Sequence, residues 1–128
     1  MFSLRGSSRW GAVVGLALAL LALAPAARAH AILVASQPAA NAEIVGANVD
    51  LDVSLEFNSR IDAARSSLQL AKDGGALQPV ALGETEKPNF LVGKAPKLAP
   101  GAYRLRWQVL SVDGHVSRGD VNFKVRAP

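Results

Sequence analysis

Val49, Leu51, Val53, Leu55 and Phe57 alternate with Asp50, Asp52, Ser54, Glu56 and Asn58, five successive matches to a period of two. Side chains along a β-strand point to opposite faces in turn, so this stretch predicts a strand with one face in a core and one in water. Its acidic residues read as the solvated face of that strand. The same period returns in Tyr103, Leu105, Trp107 and Val109 against Arg104, Arg106 and Gln108, and again in Val121, Phe123 and Val125 against Asp120, Asn122, Lys124 and Arg126. Trp107 is on this reading a core residue.

Shorter signals fill the intervals. Ala31-Ile32-Leu33-Val34-Ala35 is an apolar run of strand formers that Gln37-Pro38 stops, and residues 38–46 read as a loop with Asn41, Glu43 and Gly46 as turn formers. Asp73-Gly74-Gly75 predicts a hairpin between Leu68-Leu70 and the Ala76-to-Ala81 arm, whose Pro79 marks it as an edge strand. Asn89-Phe90-Leu91-Val92 predicts a short strand, Lys94 to Lys97 a loop, and Pro100-Gly101 the centre of a type II turn. No stretch after residue 30 has a helical period. About seven short strands separated by turns predict an all-β fold, an antiparallel Greek-key β-sandwich of Ig-like form.

Residues 1–29 have a different character. Arg5 and Arg9 precede an apolar stretch over residues 12–23, and Ala27-Arg28-Ala29 is a small-x-small cleavage site. This is the pattern of a cleavable signal peptide, with a core too short to span a bilayer. The expected division is a signal peptide over 1–29 and one domain over 30–128, exported and not membrane-spanning. Cleavage also changes the electrostatics. The removed segment holds three arginines and no acid, so fourteen basic and ten acidic residues become eleven and ten. A balance so near neutral gives no reason to expect nucleic acid or anionic lipid as a partner. Cysteine is absent, so an exported domain of this size must rely on apolar burial, and thiolate ligation of metals is excluded.

The candidate chemistry lies in two histidines. Cleavage after Ala29 makes His30 the first residue, and its free amine and imidazole Nδ1 then close a six-membered chelate on one ion. The second histidine sits in Ser111-Val112-Asp113-Gly114-His115-Val116-Ser117, two residues after a carboxylate. Asp113 and His115 would complete a square of nitrogen and oxygen donors, which suits Cu(II). If residues 113–115 are extended, the two side chains share a face. A plainer reading also fits, since Asp113-Gly114 is a common hairpin turn that needs no chemistry. Other site chemistries lack their motifs: there is no phosphate-binding glycine loop, no His-Glu-x-x-His helix and no Gly-x-Ser-x-Gly elbow around Ser111 or Ser117.

Taken together, an N-terminal His30, an apolar strand ending near Pro38, the alternating strand closing on Phe57, Pro100-Gly-x-Tyr-x-x-x-Trp107 and Asp113-x-His115 resemble the CopC copper-resistance proteins across residues 30–128. The resemblance implies a periplasmic β-sandwich holding one Cu(II) per chain through the amine and imidazole of His30, with Asp113 and His115 as partners. It also implies a CopD-type inner-membrane importer as recipient of the copper. Two departures stand out. Family members often carry an acidic residue where this chain has Ser59, and some have a methionine-rich loop for Cu(I), whereas the one methionine here is Met1. A single-site Cu(II) carrier or buffer, with no catalytic turnover, is the reading that follows. Its alternatives are a histidine-brace copper oxygenase, which the Asp113 charge opposes by favouring Cu(II) over Cu(I), and a metal-free Ig-like structural domain.

Overall fold

The computed structural model describes residues 30–128; the signal-peptide expectation for residues 1–29 lies outside the described residues. Eight strands run in chain order: β1 (Leu33–Gln37), β2 (Glu43–Val45), β3 (Val49–Phe57), β4 (Ile61–Lys72), β5 (Gln78–Leu82), β6 (Phe90–Leu98), β7 (Gly101–Ser111) and β8 (Val116–Arg126). They pair in the order β1-β3-β6-β5-β4-β7-β8-β2, and the sheet curls so that β1, β3 and β6 face β4, β7, β8 and β2. The all-β sandwich is the expected one, with eight strands in place of about seven.

The alternating residues make the core. Leu51, Val53, Leu55 and Phe57 of β3 meet Leu105, Trp107 and Val109 of β7 and Val121, Phe123 and Val125 of β8, all buried. Trp107 is 7% exposed and meets the edge of Phe57, with ring centres 5.2 Å apart. On β8 the residue opposite Trp107 is Gly119, where an added Cβ would lie 2.6 Å from the indole. Burying this set is the main favourable term in a domain without disulfides.

Several expectations are corrected. Residues 38–46 contain β2, which pairs in parallel with β8 through Ile44↔Val125, so the sandwich is not wholly antiparallel. Lys94 to Lys97 lies inside β6, where Lys97 takes a left-handed conformation at an irregularity and donates its N–H to the Asp50 carboxylate at 3.0 Å. β5 as a whole is not an edge strand, since it joins β4 to β6, but Pro79 itself pairs with β4 alone and the ladder to β6 begins at Ala81, so the edge is local to the proline. Pro100-Gly101 is not a type II turn, because Gly101 is not left-handed. The Asp73-Gly74 hairpin is as expected, with both residues left-handed and β4 antiparallel to β5.

Candidate metal centre

β7 ends and β8 begins at one end of the sandwich, and residues 112–115 link them. Gly114 has φ +89°, a conformation glycine adopts without cost, while Asp113 stays out of the left-handed region. This differs from Asp73-Gly74, where both residues are left-handed as a type I′ turn requires, with the Gly75 N–H donating to the Lys72 carbonyl at 2.9 Å. The Asp113 backbone therefore leaves its carboxylate folded back across the loop. Oδ1 accepts the His115 N–H at 3.2 Å, and Oδ2 lies 2.8 Å from His115 Nδ1. The two side chains meet as expected, but through the curl of a turn and not along an extended face.

Ser111 underlies this arrangement. It takes the last inward position of β7, is 2% exposed, and its N–H donates to the His115 carbonyl at 2.8 Å. Its hydroxyl lies within hydrogen-bond reach of both Asp113 Oδ1 and the His115 carbonyl. A hydroxyl has one proton to give, and an ionised carboxylate is the stronger acceptor. The Ser111 hydroxyl first, then His115, hold the Asp113 carboxyl down to about 2. Sequence reasoning set Ser111 aside as a nucleophile without an elbow. The available signal was its parity: it is the polar member of the inward series Tyr103, Leu105, Trp107, Val109.

His30 arrives from the other side. The next residue, Ala31, is 3% exposed and belongs to the core. Ile32 is held twice by Asn58: its N–H donates to Asn58 Oδ1 at 2.8 Å, and its carbonyl accepts the Asn58 N–H at 2.9 Å. The His30 ring comes to rest 4.8 Å from the His115 ring, centre to centre, with the planes at 60°. All three expected residues, His30, Asp113 and His115, are thus brought to one place. The site is open, with the His115 side chain 58% exposed and that of Asp113 30%. Cavities of about 570 and 550 Å³ lie elsewhere, one beside Glu43, Arg104 and Lys124, the other beside Leu70, Val80 and Leu98.

Among the described residues no group of three or more His, Cys, Asp or Glu side chains stands as a ready metal cage. The His30 main-chain nitrogen is a donor in addition to such side chains. The Ser59 hydroxyl, at the place where an outer acidic contact was sought, is buried without a hydrogen-bond partner.

Comparison with known proteins finds relatives named for copper resistance. A family model described as the CopC domain matches residues 33–126. The chain is 31% identical to protein YobA of Escherichia coli, over 86% of this chain and 92% of that one. It is 27% identical to copper resistance protein C of Xanthomonas campestris, over 98% and 100% of the two chains. Among solved structures it resembles CopC of Methylosinus trichosporium, with TM-score 0.67 and 33% identity over 77% of this chain and 95% of that one.

Proposed function

This chain belongs to the CopC family, and on that premise we propose that it is an exported carrier that binds one Cu(II) at His30, Asp113 and His115. The observation that carries the reading is the 4.8 Å approach of the two histidine rings. They belong to opposite ends of the described chain, and one ion can reach both.

The donor set follows from what each group has free. In the matured chain His30 offers an amine and Nδ1. His115 Nδ1 lies 2.8 Å from Asp113 Oδ2 without the metal, so an ion in the place of the proton between them would take a nitrogen from one and an oxygen from the other. Asp113, ionised far below neutrality, adds a carboxylate oxygen and a negative charge that favours Cu(II) over Cu(I). Three nitrogens and an oxygen make a tetragonal set for Cu(II). The residues fit the ion, and they include no soft ligand that would draw Cu(I).

In the periplasm such a protein buffers Cu(II) and releases it to a CopD-type inner-membrane importer. The exposure of His115 suits transfer, since an incoming ligand can approach the ion without the sandwich opening. Electron paramagnetic resonance during a copper titration of the chain beginning at His30 tests the reading. The expected result is one tetragonal Cu(II) per chain with nitrogen hyperfine coupling; a signal of aqueous copper throughout would overturn it.

A further inference from the structure

Asn58 occupies the turn between β3 and β4 and bonds to the chain just after His30. Taken as sequence it is the last polar member of the alternating run, with nothing to mark it. In the structure its side-chain oxygen takes the Ile32 N–H at 2.8 Å while its own N–H reaches the Ile32 carbonyl at 2.9 Å. Both bonds lie outside the regular β1–β3 ladder, which begins at Leu33↔Phe57. Residues 30–32 have no ladder of their own, so this pair of bonds and the buried Ala31 side chain are what fix the path of the chain there.

We infer that Asn58 is a positioning residue for the copper site: it holds the main chain at Ile32 so that the amine and ring of His30 meet His115. The inference rests on the proposed site and goes beyond it, since Asn58 offers the ion no donor. The physical reason is entropy. A chain terminus is ordinarily among the least ordered parts of a domain. A chelate that includes the terminal amine must then order residues 30–32 when it binds, unless they are already held. A clamp in the metal-free protein makes that cost a part of folding, and the gain appears as affinity. Asn58 is itself supported, because its neighbour Phe57 donates its N–H to the Asn89 carbonyl at 2.8 Å and accepts the Asn89 side-chain N–H at 3.0 Å.

The side-chain bond uses only an oxygen acceptor, which makes the inference separable by substitution. Asn58→Ala removes the acceptor, Asn58→Asp keeps it, and Asn89→Ala loosens the same corner without touching Ile32. The experiment measures Cu(II) affinity by competition, the Cu(II) hyperfine pattern, and exchange of the Ile32 amide in the metal-free protein, all on chains beginning at His30. Asn58→Ala should bind copper about 10- to 100-fold more weakly, the range for residues that orient ligands. Its Ile32 amide should exchange faster, while Asn58→Asp restores both. Wild-type affinity in Asn58→Ala, or an equal loss in Asn89→Ala with the Ile32 amide still protected, would overturn the inference and leave the site intact. A wild-type protein whose copper signal lacks the amine nitrogen would instead remove the site reading, and the role of Asn58 with it.

Discussion

The ring of His30 lies against that of His115, although one precedes the first strand and the other follows the seventh. Neither is near the other in sequence, and the fold joins them. A chain with one extra residue before His30 keeps every side chain of this pair but moves the amine out of reach of the six-membered chelate. Copper affinity should fall by orders of magnitude while the melting temperature of the metal-free protein stays the same. Competition titration of the two chains checks this, and equal affinities would exclude the amine as a ligand.

His115→Ala and Asp113→Asn should separate the nitrogen donor from the charge of the oxygen donor. His115→Ala deletes a donor and should lose most of the affinity. Asp113→Asn keeps an oxygen acceptor for the Ser111 hydroxyl and the His115 N–H but loses the charge, so the fall should be smaller, about 10- to 100-fold. Both side chains are polar and add no apolar burial, so circular dichroism of each metal-free variant should match the parent.

Protons should compete with copper in one window and be indifferent in another. A terminal amine has a reference pKa of about 7.7–8.0 and an imidazole about 6.5, so affinity should drop steeply as pH falls from 8 toward 5. Asp113 is already charged across that range and should add no step near pH 4. For the metal-free protein the folded value of about 2 lies below the ordinary 3.8. Its contribution to stability is therefore complete above the ordinary value and is lost as pH falls through the folded one. Melting curves of wild type and Asp113→Asn should converge as pH falls from 4 to 2.

Gly119→Ala should destabilise the fold without touching the copper site. The added Cβ would sit 2.6 Å and 2.9 Å from two ring carbons of Trp107, and a rigid indole already against Phe57 has little room to move. Overpacking of this kind costs about 1–3 kcal/mol. Denaturant unfolding measures it, and an unchanged midpoint would mean that the indole repacks freely.

The strands legible in the sequence are those whose alternation is unbroken: β3, β7 and β8. Where the fold departs from regularity, the pattern is lost with it. The first half of β4 was hidden because its register against β7 shifts between Asp62 and Ser67, and the Ser66 hydroxyl replaces ladder bonds by donating to the Asp62 carbonyl and accepting the Leu110 N–H. β6 looked like a strand and a loop because Gly93, Lys94 and Pro96 are loop formers, yet Leu91, Gly93 and Ala95 keep the inward parity. β2 has three residues and pairs with the far end of the chain, which no local pattern reports. The site residues were legible because histidine is so scarce here. Asn58 was not, since its role is a bond to main chain 26 residues away, and backbone donors leave no mark in a sequence.

β1 has a neighbour on one side only, β3, and carries Val34 outward at 56% exposure. A border strand held by a single ladder opens more readily than the strands inside it. His30 hangs from that border and His115 from the β7–β8 turn, so an ion bridging them rivets a border strand of the sandwich to the end of its longest ladder. Copper loading should then protect the amides of β1 from exchange far more than those of β7, and raise the melting temperature with ligand concentration. The cargo would be a structural member of its own container, and unloading would announce itself as a loosening of that one strand.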